Sequence, residues 1–113
     1  MDGNIFEGLQ EELISDLTLE FSSEKSFDYV AMTQKVKSAI REVKNARKYP
    51  SHYTEEQIID DIQGFYSNIR NIALYDYNKI GAEGQNSHSE NNISRSYFER
   101  EKLFAGVIPI AKI

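Results

Sequence analysis

The longest amphipathic pattern in the chain runs from Thr54 to Ile80, and it is the feature that most restricts the fold. Apolar residues recur there in steps of three, four and seven, which is the spacing of one helix face. Thr54 and Gln57 have the spacing of a capping box, which marks a helix start. Gly81 follows where a left-handed C-terminal cap is expected. The pattern predicts one helix of about 40 Å at 1.5 Å per residue, weakened internally only by Gly64.

The rest of the chain completes the pattern of a small all-α bundle in a single domain. We expect three main helices and a short C-terminal one, at residues 5–19, 27–47, 54–80 and 95–104. Asn4 is the candidate N-cap of the first helix. Tyr49-Pro50 ends the second, because the residue before proline is driven out of the helical region. A long polar loop, 81–92, and an extended C-terminal tail, 106–113, complete the prediction.

The apolar tail, Val107 to Ile113, has to be covered, since it would favour aggregation if it were exposed. Pro109 excludes a continued helix there and is incompatible with a central strand. The tail therefore packs either on its own domain or on a neighbouring molecule.

One carboxylate lies on the apolar side of the long helix. Asp76 follows Ile69 by seven residues, and a buried carboxylate requires hydrogen-bond donors. Ser87, His88 or Arg95 from the returning loop could supply them, which predicts a loop docked on the end of the helix. The alternative is that Asp76 points to solvent at a frayed helix end.

Charge is unevenly distributed in this chain, whose formal net charge is −5. Met1 to Asp28 holds eight acids against one lysine, whereas Lys35 to Lys48 holds six bases against one glutamate. Segments of opposite sign can pair within one molecule or between copies of it. The simpler alternative is that both are solvated helix faces.

Cysteine is absent, which excludes disulfides and thiolate metal sites and is typical of a cytosolic protein. No apolar run approaches the roughly 18 to 20 residues that span a bilayer, and the first residues lack the pattern of a signal peptide. We therefore expect a protein of the cytoplasm with no membrane partner.

Catalytic and metal-binding patterns are not recognisable. The polar loop, 81–92, contains glycine, serine, histidine and acids, but its spacing matches neither a phosphate-binding loop nor an activated nucleophile. The two histidines lack ligand spacing. Asp60 and Asp61 precede Asp76 by about four helical turns, which is too far for a shared metal ion. We expect no enzyme activity, no cofactor and no metal.

Several short motifs follow one another in a characteristic order. They are Val43-Lys44-Asn45-Ala46-Arg47-Lys48-Tyr49-Pro50, Tyr53-Thr54-Glu55-Glu56, the run from Tyr66 to Asn78, Gly81-Ala82-Glu83-Gly84-Gln85 with Ser87-His88-Ser89-Glu90-Asn91, and Ser94-Arg95-Ser96-Tyr97 with Lys102-Leu103-Phe104. In this order they resemble the head–tail connector (adaptor) proteins of tailed bacteriophages and prophages. The resemblance covers most of the chain, and the loop motifs are its most specific part.

The resemblance implies a structural virion protein and not an enzyme. Members of the family are small helical bundles that form a homo-oligomeric ring, commonly of twelve subunits, below the portal protein. The ring extends the DNA channel and presents a surface to a tail-completion or stopper protein. The expected location is the virion, after assembly in the host cytoplasm, and DNA would pass without sequence-specific binding.

Candidate interface residues follow from this role. The acidic and basic segments could pair between adjacent subunits and close a ring, while the tail and the polar loop could contact a neighbour or the portal. The candidates are Lys44, Arg47, Lys48, Gly81, Glu83, Gln85, His88, Glu90, Arg95, Val107, Ile108, Ile110 and Ile113.

A small helical phage protein associated with nucleic acid is the second hypothesis, and the basic segment, 35–48, supports it. However, the chain as a whole is acidic and has no helix-turn-helix pattern, and its basic residues are not interleaved with exposed aromatic ones. Sequence-specific binding is therefore not expected.

Overall fold

The chain folds as an all-α bundle arranged around its second helix. The computed structural model describes residues 5–82 and 99–110, and within these ranges it contains no strand. The helices are α1 (Glu7–Glu20), α2 (Tyr29–Arg47), α3 (Glu55–Gln63) and α4 (Tyr66–Ala82), and residues 99–102 are also helical. The predicted all-α class is confirmed.

Helix α2 packs against each of the other three. Helices α1 and α4 both run in the opposite direction to it, since the start of α1 lies beside the C-terminal half of α2 and the end of α4 lies beside its start. At the start of α2, the Asp28 backbone N–H donates to the Tyr77 hydroxyl near the end of α4 (2.8 Å). At its other end, Arg47 contacts Asp61 of α3. The bundle thus has one end at the α1–α2 connection and another at the α2–α3 connection.

The prediction of one unbroken helix over 54–80 is wrong, because the chain turns between α3 and α4. The backbone N–H groups of Gly64 and Phe65 donate to carbonyls only three residues back, which closes α3 in a tight turn. Glycine is among the weakest helix formers, so the helix predicted from the long apolar pattern is interrupted at Gly64. The turn places the Phe65 ring against the Arg47 guanidinium, 5.0 Å from the ring centroid. Tertiary packing therefore overrides the continuous apolar pattern.

Other helix boundaries agree with the sequence to different degrees. The capping box is confirmed, since the Thr54 hydroxyl accepts from the Gln57 N–H (3.1 Å) and the Gln57 side chain accepts from the Thr54 N–H (2.8 Å). Asp28 caps α2 by accepting from a backbone N–H three residues on. Helix α2 ends at Arg47, followed by Lys48 in the left-handed region (φ 51°). This agrees with the predicted stop before Tyr49-Pro50.

Two predicted caps are wrong. Helix α1 begins at Glu7 with Phe6 in the N-cap position for which Asn4 was predicted, and Asn4 itself lies outside the described residues. The Phe6 side chain is buried in the core, and this burial sets the start of α1 in place of a polar cap. Gly81 does not end α4 as a left-handed cap, because the helix continues to Ala82.

The core consists of apolar residues from all four helices and from the C-terminal segment. Its buried members are Phe6, Leu9, Leu13, Ile14, Leu17, Met32, Val36, Ala39, Ile40, Val43, Ile62, Ile69, Ile72, Ala73 and Val107. Three aromatic rings, Phe21, Phe27 and Tyr77, cover the end of the core at the α1–α2 connection, with ring centroids 5.1 to 5.5 Å apart.

The described part of the C-terminal segment, 99–110, packs on its own domain, which is the first of the two alternatives for the tail. Its helix ends at residue 102, earlier than predicted, and Gly106 turns the chain with a φ of 84°. Val107 is buried, and the Ile110 N–H donates to the Arg47 carbonyl (2.8 Å). The Asn68 side chain donates to the carbonyls of Leu103 (2.9 Å) and Ala105 (3.0 Å).

Candidate functional site: a basic groove and an acidic ridge

A groove of about 510 Å³ lies between the start of α1 and the C-terminal half of α2. It combines an apolar floor with a basic rim. The lining residues are Ile5, Phe6, Gln10, Lys37, Ile40, Arg41, Lys44 and Glu55. We call this feature the basic groove.

The rim of the basic groove is a regular stripe on α2. Lys37, Arg41 and Lys44 are spaced by four and three residues, which places them one above another on a helix surface. All three side chains are exposed. The opposite side of α2 is buried in the core through residues such as Val36 and Val43. Among the described residues that line the groove there are thus three cations and one carboxylate, that of Glu55.

The acidic first helix does not neutralise this stripe through the ion pairs of the described residues. Instead, two of its carboxylates bind Arg70 of α4: Asp16 accepts from the guanidinium Nε (2.8 Å), and Glu20 forms a second ion pair with it. These hydrogen bonds raise the pKa of Arg70. The Tyr66 hydroxyl also donates to Asp16 (3.3 Å). Pairing within the molecule thus joins α1 to α4.

Two further acids of α1, Glu11 and Glu12, lie on its outer side. Glu11, Glu12, Ser15 and Leu19 are all exposed, and Leu19 is 70% exposed, which is unusual for a large apolar side chain. Shallow depressions flank this row on both sides, and Ser15 and Leu19 border both of them. We call these four residues the acidic ridge. Tyr29, also largely exposed, borders one of the two depressions.

Arg47, a candidate interface residue, is used inside its own domain. Its Nε and Nη2 atoms donate to the two carboxylate oxygens of Asp61 (2.7 and 2.9 Å), and its Nη1 atom donates to the Ile108 carbonyl (2.8 Å). The Tyr49 hydroxyl also donates to Asp61 (2.7 Å). This cluster joins α2, α3 and the C-terminal segment.

The pKa values in this cluster shift as its contacts require. Hydrogen bonding to Asp61 raises the pKa of Arg47. Burial, followed by the hydrogen bond to Asp61, raises the pKa of Tyr49. Burial alone would raise the pKa of Asp61, but the hydrogen bonds from Arg47 and Tyr49 outweigh it and hold that pKa below its ordinary value of 3.8. Asp61 is therefore ionised and fully engaged at neutral pH.

Asp76 has an arginine partner that the sequence reasoning missed. Arg100 donates to both oxygens of Asp76 (2.8 and 2.7 Å) and to both oxygens of Glu42 (3.1 and 2.6 Å). These hydrogen bonds raise the pKa of Arg100. The Asp76 side chain is 18% exposed, so it does not simply point to solvent.

The signal for this pairing was present in the sequence. Arg100 precedes Leu103 by three residues and Phe104 by four, so it belongs to the apolar side of the short helix. A cation on that side required an acidic partner from another element. The three donors proposed for Asp76, which are Ser87, His88 and Arg95, lie outside the described residues.

The other candidate interface residues have different positions. Lys44 is in the rim of the basic groove, and Lys48 is exposed beyond it. Val107 is buried, Ile110 is partly buried and Ile108 is 62% exposed. Gly81 lies within α4. The candidates outside the described residues are Glu83, Gln85, His88, Glu90, Arg95 and Ile113.

Two kinds of site are absent from the part of the chain that the structure describes. No group of three or more histidine, cysteine, aspartate or glutamate side chains there is arranged to hold a metal ion. None of the helices in residues 5–82 and 99–110 has the length and apolar character needed to cross a membrane.

Comparison with known proteins identifies no relative: no family model, no curated protein and no solved structure matches the chain. The basic groove and the acidic ridge are therefore interpreted from their own chemistry.

Proposed function

We propose that this chain is a structural subunit, a head–tail connector of a tailed bacteriophage, which assembles as a ring below the portal and joins the head to the tail. The order of sequence motifs first suggests this function. The observation that supports it most directly is the surface of the bundle, where a basic groove and an acidic ridge with exposed apolar atoms are displayed on one small helical domain.

The ion pairs between elements fit a structural role. Three arginines, Arg47, Arg70 and Arg100, each bind carboxylates from other elements and join the helices to one another. Charge-assisted, bidentate contacts of this kind fix geometry as well as supplying energy. A subunit built in this way can present the same surface to each neighbour, which a ring requires.

In this proposal the partners are further copies of the chain, the portal protein and a tail-completion protein, and DNA passes through the channel. Exposed apolar side chains such as Leu19, Tyr29 and Ile108 are the kind of surface that protein contacts cover. The net charge of −5 would limit adhesion of DNA to the assembled channel.

Native mass tests this function. The protein would be measured by light scattering over a range of concentrations, alone and mixed with the portal from the same genome, and then imaged in negative stain. We expect rings, or co-migration with the portal. A protein that remains monomeric and does not bind the portal would refute the connector function.

Nucleic-acid association is the second candidate, and the stripe of Lys37, Arg41 and Lys44 is the observation that favours it. Three phosphate contacts would give a log–log salt slope of about −3 for duplex DNA. Fluorescence anisotropy with a labelled duplex would measure this slope, and a nuclease assay with magnesium would test for an enzyme. A salt slope near −3 that is lost in Lys37→Glu/Arg41→Glu would favour this alternative.

A further inference from the structure

We infer that the basic groove binds the acidic ridge of a second copy of this chain, so that copies associate head to tail. The inference deepens the proposed function by naming the occupant of the groove, and it rests on that function only in requiring that copies associate. No other part of the connector role is needed for it.

The two surfaces are complementary in charge and in apolar character. The groove presents Lys37, Arg41 and Lys44 around a floor that includes Ile5 and Ile40. The acidic ridge presents two carboxylates at one end and the exposed Leu19 at the other. An acidic helix with an apolar end can satisfy both the rim and the floor of the groove. A bare phosphate backbone would use only the rim, so a helix of this chain is the better fit.

The two surfaces cannot meet within one molecule, because they lie on opposite sides of the same helix. Gln10 lines the groove and Leu19 belongs to the ridge. They are nine residues apart, which is about two and a half turns at 3.6 residues per turn. Leu19 therefore faces away from the side of α1 on which Gln10 lies. Contact between groove and ridge has to be intermolecular.

The ridge carboxylates are also available for such a contact. Glu11 and Glu12 are exposed, whereas Asp16 and Glu20 are already bound to Arg70. The pairing within the molecule thus engages two acids of α1 and leaves three exposed, which are Glu7 in the first turn and the two ridge acids on the outer side. Since groove and ridge are different surfaces, the contact is heterologous: in a pair, one copy keeps a free ridge and the other a free groove, so further copies can add at either end.

Charge reversal tests this contact. Lys37→Glu/Arg41→Glu changes the groove and Glu11→Lys/Glu12→Lys changes the ridge, and association would be measured by analytical ultracentrifugation. We expect each double variant to associate about tenfold or more weakly than the wild type, because like charges then face each other. The quadruple variant restores opposite charges in exchanged positions, so we expect it to regain association.

Two matched controls separate this contact from an effect of net charge. Asp60→Lys/Glu101→Lys makes the same change in net charge as the ridge variant, and Lys25→Glu/Lys102→Glu makes the same change as the groove variant. All four residues are exposed and lie outside both surfaces. We expect both controls to associate like the wild type, and circular dichroism would verify that every variant is folded.

Disulfide trapping gives a second, independent test, because the chain contains no cysteine. In Ser15→Cys/Arg41→Cys, one cysteine lies in the ridge and the other in the groove rim. Ser15 lies on the outer side of α1, which faces away from the groove, and Arg41 lies on α2 in the groove rim, so the bond forms between copies. Under oxidation we expect a ladder of covalent oligomers, and each single variant should yield dimers at most.

The outcomes distinguish this inference from the proposed function. Double variants that associate like the wild type, a quadruple variant that does not recover, or an absent ladder would each overturn the inference. If all variants nevertheless bind the portal in the wild-type ratio, the connector function stands without this contact. If the charge exchange restores association but the wild type ignores the portal, the contact is supported and the connector function fails.

Discussion

Within residues 5–82 and 99–110, three arginine side chains make most of the side-chain hydrogen bonds between elements, and each joins a different set of elements. Arg100 illustrates the principle, because its single guanidinium neutralises Asp76 and Glu42, which come from different helices. Without the cation, two carboxylates would face each other in a partly buried site. Removing one partner of such a cluster costs more than its net contribution, since the other charges are left unsatisfied.

Arg100→Met should therefore lower the free energy of unfolding by about 2 kcal/mol. The methionine keeps much of the aliphatic volume but leaves both carboxylates without their donor. Urea unfolding at neutral pH would measure the change. Lys102→Met is the matched control, because Lys102 is an exposed cation in the same segment, and it should stay within about 0.5 kcal/mol of the wild type. Equal losses in the two variants would contradict the structural role of Arg100.

Asp61 predicts a specific acid sensitivity. Its pKa is lower in the folded protein than its ordinary value of 3.8. The stability that it contributes is therefore fully present above about pH 4 and is lost as pH falls through the depressed folded-state value. Asp61→Asn should show a shallower loss of unfolding free energy between about pH 5 and pH 2, measured as urea midpoints. Asp60→Asn, at an exposed neighbour, should follow the wild-type curve.

At the scale of elements, the sequence predicted those features that depend on neighbouring residues. The Thr54 and Gln57 capping box and the stop before Pro50 depend on short spacings, and both are confirmed. The turn at Gly64 depends on where Phe65 packs, which periodicity does not encode. The two clusters around Arg47 and Arg100 join residues far apart in the chain, with Arg100 and Glu42 separated by 58 positions. Such contacts follow from topology and not from local pattern.

For the candidate site too, the sequence predicted local features but not the contacts between residues far apart in the chain. Segregated charge predicted that basic residues such as Lys44 would be available for contact, and Lys44 lies in the groove rim. The sequence did not separate Lys44 from Arg47, although they are three residues apart. The difference is the position of Asp61 and of the Ile108 carbonyl, which only the fold supplies.

Two glycines give a matched test of the C-terminal segment. Gly106 has a φ of 84°, which strains any side chain, although nothing lies within 4 Å of an added Cβ. Gly106→Ala should lower the free energy of unfolding by about 1 kcal/mol. Gly8→Ala, in α1 and also in open space, should raise it by about 0.5 kcal/mol. Thermal unfolding of both variants would measure the effects, and a gain in both would refute the strained turn.

At the scale of the whole molecule, uneven surface charge predicts salt-dependent behaviour. Opposite charges on exposed surfaces attract over about 10 Å at 0.1 M salt and about 3 Å at 1 M salt. If groove and ridge associate, raising the salt concentration should weaken self-association of the wild type in sedimentation experiments. Lys37→Glu/Arg41→Glu should show little further weakening. Association that strengthens with salt would indicate an interface dominated by apolar contacts such as those of Leu19.

The placement of groove and ridge on opposite sides of α1 also makes this helix a spacer of fixed width. An α-helix with its side chains is about 10–12 Å across and contains no hinge. If each added copy docks across that width, every step displaces and rotates the next copy by the same amount. The curvature of the assembly is then set by the angle between the two sides of one helix. A substitution that tilts α1 against α2 would change that curvature while leaving every contact residue in place.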